Sequence, residues 1–195
     1  ADPASALSNK RFPWLSARQI ELGMCPVNAI RVAYTGELGW ELHHPIEMQN
    51  YLFDLLEAAG APHGMKLVGG RAQNWLRQEK SYRAFGTELG RDATPLEADL
   101  PRFVDLGKVF QGRDAMQAIG IRSKCVTLLI DGPEDADPWG REALYAADGT
   151  RVGRLTSGGY SVVFEKSIGM GYVRPAHAAV GSKLKVKILD QLWDA

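Results

Sequence analysis

Apolar and polar residues alternate through the segment from Val27 to His43, the first clear periodic pattern in the chain. Period-two alternation is typical of a strand with one buried face. Before a glycine-bearing turn, one face would carry Ile30, Val32 and Tyr34. After the turn, Trp40 and Leu42 share one face while Glu41 and His43 share the other. The segment therefore predicts a strand, a turn and a second strand.

Segments with the residue spacing of α-helices follow. Apolar residues recur at i, i+3, i+4, i+7 and i+8, the spacing of an amphipathic helix, in Met48, Tyr51, Leu52, Leu55 and Leu56. Gly60 occupies the favoured position after such a helix. A short strand is predicted from Met65 to Val68, followed by Gly69 and Gly70 and then by a second helix from Arg71 to Lys80.

Two later segments also carry helix signals. Thr94, Pro95 and Glu97 have the chemistry of a capping box, with proline in the first turn. Another helix is predicted from Gly112 to Ile119, and it should stop at Gly120.

Strand patterns dominate after Gly120. The predicted strands cover residues 124–130, 143–147, 150–156, 160–164, 168–173 and 184–189. Two turn clusters separate some of them, at Asp148-Gly149 and at Ser157-Gly158-Gly159. Three lysines alternate with apolar residues near the end of the chain, which predicts an edge strand protected against aggregation; they are Lys183, Lys185 and Lys187.

Together these elements predict an α+β protein, with a mixed α/β layer followed by a small, mostly β, barrel-like C-terminal module. Residues 1–24 are interpreted as a lead-in segment, with a short helix from Ser16 to Leu22. Residues 25–119 form the predicted main domain, and residues 120–195 form the predicted β module.

The composition excludes some classes of function. The 23 basic and 23 acidic residues balance, so the charge gives no sign of binding to nucleic acid or to an anionic membrane. No run reaches the roughly 18 apolar residues of a membrane span. Cys25 and Cys125 lack Cys-x-x-Cys spacing and are interpreted as free, buried thiols in a reducing compartment.

Nucleotide and metal motifs are absent from the sequence. Gly169-Met170-Gly171 lacks the third glycine of a dinucleotide loop, and Gly107-Lys108 lacks the upstream glycine of a P-loop. The chain by itself should therefore bind neither flavin nor ATP. His43 and His44 are adjacent, so their side chains would point to opposite faces of a strand and could not share an ion. No metal site is predicted.

One pair of residues has the chemistry of a ligand site. An ionised carboxylate such as Glu41 accepts two parallel hydrogen bonds from a fork of N–H donors, as on the edge of an aminopyrimidinone ring. The nearby Tyr34 offers a ring face for stacking. The alternative is a plain hairpin in which Glu41 faces water or an arginine.

The motifs along the chain resemble those of a known family. They are the Tyr34–Leu42 segment, Gly69-Gly70-Arg71, the Arg83–Leu89 segment, the Thr94–Ala98 segment and the Phe110–Asp114 segment. In this order they resemble the aminomethyltransferase family, which comprises the glycine-cleavage T-protein and its relatives. The opening Ser8–Arg18 segment is most similar to the folate-binding C-terminal region of the dimethylglycine and sarcosine dehydrogenases.

The resemblance implies a cofactor site made of Tyr34, Glu41 and Arg71. In the family, the tyrosine of this motif packs on the folate, the glutamate bonds the pterin, and the arginine contributes to the same pocket. Trp40 is included as a wall of that pocket, or alternatively as a buried hydrophobic anchor. Glu37 is a weaker candidate because it lies within the turn. No residue matches the family's catalytic aspartate, so the catalytic residue is unknown.

The resemblance also implies a function. Related enzymes oxidise an N-methyl group at a flavin and pass the carbon to tetrahydrofolate, which gives 5,10-methylenetetrahydrofolate. The expected ligands are thus tetrahydrofolate and a methylated amine, with FAD held only by an N-terminal flavin domain of a longer parent chain. We expect this chain to be a fragment that is inactive alone, located in the cytoplasm, or in the mitochondrial matrix if the source is eukaryotic.

Two other functions remain open at this stage. A stand-alone aminomethyltransferase of glycine cleavage would have no flavin and would need a lipoyl carrier protein as its partner. A non-catalytic folate-binding or interaction module would keep the fold without transferring carbon, although the cysteine-bearing motif of such relatives is not found here.

Overall fold

The computed structural model describes residues 6–133 and 135–195. The chain divides into two compact units, Ala1–Gln73 and Asn74–Ala195, which we call the N-terminal unit and the C-terminal unit. Helices and sheets are both present, and the predicted α+β class is confirmed. Residues 1–5 of the predicted lead-in segment lie outside the described residues.

A three-stranded antiparallel sheet forms the centre of the N-terminal unit. Its strands are β1 (Ala17–Leu22), β2 (Cys25–Ile30) and β3 (Glu41–His43), in the order β1-β2-β3. Alternate residues of β2 are buried, and they pack with Phe12 and Leu52 into one core cluster; they are Cys25, Val27 and Ala29. The strand prediction for this segment is confirmed for β2 and β3.

Two predictions about this sheet are wrong. The segment from Ser16 to Leu22 is not a helix, because Ala17–Leu22 pairs residue by residue with β2. The first predicted strand also stops earlier than Tyr34. The Val32 N–H donates to the carbonyl of Ile30 at 2.9 Å, which makes a tight turn where the ladder would otherwise continue.

Two helices follow the N-terminal sheet in the chain, and the second includes the boundary between the two units at Gln73 and Asn74. Helix α1 (Gln49–Gly60) ends at the predicted glycine. A short 3-10 turn then leads to Gly64, whose φ of 71° places its backbone in the left-handed region. Helix α2 (Gly70–Glu79) matches the second predicted helix. The strand predicted at Met65–Val68 does not form, because this segment is exposed and has no strand partner.

Six antiparallel strands form the sheet of the C-terminal unit. They are β4 (Lys124–Ile130), β5 (Ala143–Tyr145), β6 (Arg151–Ser161), β7 (Lys166–Val173), β8 (Lys185–Ile188) and β9 (Gln191–Asp194). Their order is β4-β7-β6-β5-β8-β9, and their apolar residues form the larger core cluster. Within the part of the chain that the structure describes, no ladder closes the sheet into a barrel. The Asp131 N–H nevertheless donates to the carbonyl of Asp194 at 2.9 Å and draws the outer strands together.

The predicted turn at Ser157-Gly158-Gly159 is wrong, since these residues lie within β6. The two glycines are there because neighbouring groups approach closely. A Cβ at Gly158 would lie 2.4 Å from the carbonyl oxygen of Pro138, and one at Gly159 would lie 2.2 Å from the Trp75 ring. Consecutive glycines are typical of turns, but here they allow close packing within a strand.

The predicted lysine-rich edge strand is also wrong. Strand β8 lies between β5 and β9, and its lysines form ion pairs instead of guarding an edge. The outer strand β9 is not predicted from the sequence, because its four residues are too few to show an alternating pattern. Among the helix signals, α3 (Arg113–Ile119) forms as predicted and stops at Gly120, whose φ is 67°.

The capping box at Thr94 forms, but no helix follows it. Thr94 N–H donates to Glu97 Oε2 at 2.8 Å, and Glu97 N–H donates back to Thr94 Oγ1 at 3.2 Å. The chain then turns through Asp99, which has φ of 60°. Such a left-handed residue ends a helix before its second turn.

Truncation of the central strand should be costly. Leu155 lies in the middle of the sheet with no exposed side-chain surface, so Leu155→Ala is expected to lower the free energy of unfolding by about 2–5 kcal/mol. Leu129→Ala on β4, where the side chain is 44% exposed, is the matched control and should cost about 1 kcal/mol or less. Urea unfolding of both variants checks this, and equal losses would contradict the assigned core.

Candidate functional site

The candidate site lies in the N-terminal unit, on the loop of residues 31–40 that connects β2 to β3. Tyr34 and Trp40 are half-buried in this loop, while Glu37 and Leu38 are exposed at its tip. Gly36 has φ of 76°, a conformation that suits glycine and lets the loop reverse direction. Two aromatic rings and the carboxylate of Glu41 are thus carried on one short stretch of chain.

Trp40 is held in place by packing. Its ring meets the ring of Phe12 edge to face, with centroids 6.3 Å apart and an interplanar angle of 61°. The guanidinium of Arg31 lies 5.7 Å from the centroid of the Trp40 ring and donates hydrogen bonds to the Phe12 carbonyl and to Asn9 Oδ1. Aromatic and cation–π contacts of this kind fix a ring in one orientation.

The indole N–H of Trp40 is a buried donor. Among the described residues, no acceptor lies within hydrogen-bond reach of Trp40 Nε1. Buried donors in native proteins are usually paired, so a buried N–H of this kind calls for an explanation. Trp40 is therefore a ring fixed by its neighbours, and its indole N–H is a buried polar group without a described acceptor.

Glu41 is the first residue of β3 and pairs across the ladder with Ile30. Its side chain is 53% exposed, and its Oε2 lies 3.3 Å from Nε2 of His43, which shares its face of the strand. The carboxylate is therefore accessible and retains acceptor capacity beyond this contact.

Arg71 belongs to the same unit and lies in the first turn of α2, where its side chain is exposed. The two glycines before it have open space around them, since a Cβ at Gly69 or Gly70 would meet no atom within 4 Å. Three of the four predicted site residues thus share one loop and its adjoining strand, and the fourth begins the helix at the end of this unit.

A cavity of about 770 Å³ lies against the three-stranded sheet of the N-terminal unit. It is lined by residues of β1 and β2 and by His43, His44 and Pro45. His43 connects it to the candidate site, because this side chain contacts Glu41. A cavity of this size is in the range that holds small organic ligands.

The C-terminal unit contains a buried ion pair that sequence reasoning did not assign. Arg77 on α2 donates from Nη1 to Glu88 Oε2 at 2.7 Å, and both side chains are almost completely buried, at 1% and 0% exposure. Arg77 Nη2 donates to Ser157 Oγ at 2.5 Å, and Nη1 donates to the Tyr82 carbonyl at 2.8 Å. The pair therefore connects α2, the following loop and β6 within this unit.

The Glu88 carboxylate has every acceptor site occupied. Its Oε1 accepts from Thr156 Oγ1 at 2.6 Å and from Ser157 Oγ at 2.5 Å, and its Oε2 accepts from Ala84 N–H at 2.9 Å. Burial alone raises the pKa of Glu88, but the hydrogen bonds from Ser157, Thr156 and Ala84, with the charge of Arg77, hold it below its usual range. Glu88 is therefore ionised and structural.

A second carboxylate in this unit is held in the same way. Glu97 is buried, and it accepts hydrogen bonds from Arg122 Nε and Nη2, both at 3.0 Å. The bonds from Arg122, helped by those from the Thr94 and Arg122 N–H groups, outweigh burial and lower the pKa of Glu97 to about 2. The sequence showed the capping box but gave no sign of Arg122, which lies 25 positions away.

Within the described residues, neither the cysteines nor the potential metal ligands form a further functional site. Cys25 and Cys125 are free and buried, as predicted. Burial raises the pKa of the Cys125 thiol to about 11, so it is protonated at neutral pH and a poor nucleophile. No cluster of three potential metal ligands occurs within residues 6–133 and 135–195. Over the same residues, no helix is both long and apolar enough to cross a membrane.

Comparison with protein families gives two matches. The GCVT N-terminal domain matches residues 2–108, and the glycine cleavage T-protein C-terminal barrel domain matches residues 124–195. Among solved structures, glycine cleavage system aminomethyltransferase T from Bartonella henselae superposes with a TM-score of 0.81 over 93% of this chain and 50% of that chain. Its sequence identity of 24% makes this a likeness of fold.

Several curated proteins are similar in sequence. The chain is 39% identical to mitochondrial dimethylglycine dehydrogenase of Homo sapiens, over 97% of this chain and 22% of that protein. It is 35% identical to mitochondrial sarcosine dehydrogenase of Mus musculus, over 86% of this chain and 18% of that protein. It is 33% identical to an aminomethyltransferase of Natranaerobius thermophilus, over 81% of this chain and 44% of that protein. The chain thus spans less than half the length of each of these relatives.

Loss of the buried glutamate should destabilise the C-terminal unit. Glu88→Gln leaves the Arg77 guanidinium buried without its counter-charge and is expected to cost about 3–5 kcal/mol of unfolding free energy. The matched control is Asp131→Asn, which breaks the exposed pair with Lys166 and should cost about 1 kcal/mol or less. Chemical denaturation measures both, and similar small costs would show that the buried pair does not stabilise the unit.

Stability should also depend on pH through Glu97. Because its pKa falls from 4.5 to about 2 on folding, its contribution is complete above pH 4.5 and disappears as the pH falls toward 2. The difference in unfolding free energy between the wild type and Glu97→Gln should therefore be largest at neutral pH and shrink below pH 4.5. Denaturation from pH 7 to pH 3 tests this, with the exposed Asp114→Asn as the control. A difference that stays constant with pH would refute the assignment.

Proposed function

Since this chain belongs to the aminomethyltransferase family of glycine-cleavage T-proteins and their relatives, we propose that it is the tetrahydrofolate-binding, one-carbon-transfer part of a dimethylglycine or sarcosine dehydrogenase-like enzyme. The product of the transfer would be 5,10-methylenetetrahydrofolate. The proposal is supported by the pattern of similarity, because the match to dimethylglycine dehydrogenase extends over 97% of this chain. The matches to stand-alone aminomethyltransferases have lower identity, at 31% and 33%.

The residues present suit a pterin. The exposed carboxylate of Glu41 provides the bidentate acceptor that the amino and ring N–H donors of a pterin require. The half-buried Tyr34 provides a ring face, and Trp40 provides a second ring that is already fixed by Phe12 and Arg31. The exposed guanidinium of Arg71 suits a carboxylate or carbonyl of the same ligand.

Each residue would have a defined task in this proposal. Glu41 would orient the pterin edge, Tyr34 and Trp40 would offer ring faces and exclude water, and Arg71 would bind an oxygen of the ligand. When bound, tetrahydrofolate supplies the nitrogen that accepts the one-carbon unit. No residue of this chain is assigned to proton transfer, and the catalytic group is proposed to come from a part of the parent protein that this chain does not include.

Further parts are also proposed for the parent protein. The chain covers 22% of the dimethylglycine dehydrogenase that it resembles, and we propose that FAD and the methylated amine bind to a separate N-terminal flavin domain. Both dehydrogenase relatives are named as mitochondrial proteins, which favours the mitochondrial matrix over the cytoplasm if the source is eukaryotic.

A stand-alone aminomethyltransferase is the second candidate, favoured by the 33% identity to the Natranaerobius thermophilus enzyme. A transferase of that kind would carry no flavin. Flavin absorbance of the purified full-length parent protein separates the two candidates, since only the dehydrogenase-like protein would show it. A non-catalytic folate-binding module would bind tetrahydrofolate and would not transfer carbon even as the full-length protein.

Titration of tetrahydrofolate into the 195-residue chain tests the proposed site. Glu41→Ala is expected to weaken binding at least tenfold, because the pterin donors lose their bidentate acceptor. Its melting temperature should change little, since the Glu41 side chain is half-exposed.

Glu47→Ala is the matched control for this titration. It removes an exposed carboxylate in the same unit, six positions along the chain, in the 3-10 turn before α1. It should leave binding unchanged. Unaltered affinity in Glu41→Ala, or an equal loss in both variants, would reject Glu41 as the pterin acceptor.

A further inference from the structure

A cavity of about 620 Å³ in the C-terminal unit is lined by an unusual concentration of arginine. Its walls come from the loop of residues 86–93, the first half of β6 and the end of β7. Four guanidinium-bearing residues line it, namely Arg141, Arg151, Arg154 and Arg174. All four are exposed to solvent.

The strand register brings three of these arginines close together. Arg154 pairs with Tyr172 and Gly153 pairs with Val173 across β6 and β7. The ladder continues by one more hydrogen bond, from the Arg174 N–H to the Val152 carbonyl at 3.0 Å. Arg174 therefore lies opposite Val152, on the same face of the sheet as Arg154, and Arg151 is the neighbour of Val152 along β6. Arg154 and Arg174 are diagonal neighbours on that face, where like charges repel each other.

The fourth arginine is held beside the same strand. The Arg141 N–H donates to the carbonyl of Leu155 on β6 at 2.9 Å. Its φ of 81° is uncommon for a residue with a side chain. The preceding Gly140 packs so tightly on β6 that a Cβ there would lie 2.6 Å from the Thr156 carbonyl oxygen. This tight corner fixes Arg141 on the cavity wall.

None of the four guanidinium groups makes a hydrogen bond or ion pair with another described residue. Several other cations of this unit are paired, even at exposed positions. Four examples form ion pairs with carboxylates between 2.5 and 3.0 Å, namely Lys166, Lys185, Lys187 and Arg122. Within the described residues, the four cavity arginines therefore have no carboxylate as a direct ion-pair partner.

Of the two acidic residues on the cavity wall, Glu88 is already engaged. Its carboxylate accepts from Arg77, Ser157, Thr156 and the main-chain N–H of Ala84. Asp92 lies beside Arg122, whose Nη2 donates to the Asp92 carbonyl at 3.0 Å. The carboxylates of Glu97 and Asp92 together raise the pKa of Arg122. Among the described residues, neither the Glu88 nor the Asp92 carboxylate forms an ion pair with the four arginines.

We propose that this cavity binds a small organic oxyanion ligand that carries two or more negative charges, either a phosphate compound or a polycarboxylate. Guanidinium groups bind phosphate and carboxylate oxygens through parallel hydrogen bonds, and they are weakly hydrated compared with lysine. The cavity is large enough for an organic molecule, in the range of about 300–1,000 Å³ typical of ligand sites. The site uses none of the residues proposed to bind tetrahydrofolate.

Two probes distinguish the sources of the anion. Pyrophosphate and tricarballylate are titrated calorimetrically into the 195-residue chain, against sodium chloride at matched ionic strength. At least one probe should bind and raise the melting temperature progressively as its concentration increases. Tighter binding of pyrophosphate identifies a phosphate compound as the ligand class, and tighter binding of tricarballylate identifies a polycarboxylate. Failure of both probes to exceed the chloride control overturns the proposal.

Charge-matched variants localise the binding. Arg151→Gln combined with Arg174→Gln should weaken the better probe at least tenfold. Lys166→Gln combined with Lys187→Gln removes the same charge outside the cavity and should change affinity less than twofold. Equal weakening in both pairs would show a general charge effect and reject the site. Circular dichroism verifies folding, and the single variant Arg151→Gln decides the question if the double variant does not fold.

Discussion

The buried contact between Arg77 and Glu88 holds together the C-terminal unit. A helix and a six-stranded sheet have no common hydrogen-bonding ladder, so something else must fix their relative position. Arg77 spans that gap by donating to Glu88 and Ser157, and Glu88 accepts from Thr156 on the same strand. An ion pair without solvent contact is costly unless hydrogen bonds satisfy its polar atoms, and here each guanidinium nitrogen of Arg77 and each carboxylate oxygen of Glu88 has at least one partner. The loop from Ser81 to Glu88 is thereby tied to both elements.

Much of the fold could be predicted because periodic patterns report burial directly. Helix α1 and strand β4 were predicted with ends within one residue of those observed, since each buries one face of a regular element. The errors occur where one short sequence pattern is compatible with two different local structures. Gly158 and Gly159 were taken for a turn, but they are small because Pro138 and Trp75 leave no room for a side chain. A helix is predicted from Ser16 to Leu22, but Ala17–Leu22 forms a strand that pairs with β2. The local helical pattern contains no information about that partner strand.

The candidate site could be predicted only in part, for a related reason. Tyr34, Trp40, Glu41 and Arg71 were found by their order in a family motif, and the structure places all four in the N-terminal unit. The packing of Trp40 against Phe12 and Arg31 could not be predicted, because these residues come together only after the chain folds back. The same applies to the Arg122 contact with Glu97 and to the four arginines around one cavity. Each of these contacts depends on how distant strands and loops align in the fold, and a local sequence pattern does not specify that alignment.

The close packing of Gly158 and Gly159 has a consequence for how variation in this protein is interpreted. Even alanine is too large at either position, because its methyl group would overlap the Pro138 carbonyl or the Trp75 ring. A deep mutational scan would therefore score this stretch of β6 as strictly intolerant. Intolerance of that degree is commonly taken as the signature of an active site. Here the intolerance to substitution results from the short distance between β6 and the groups packed against it. Taken as evidence of catalysis, it would assign an active site to a purely structural part of the molecule.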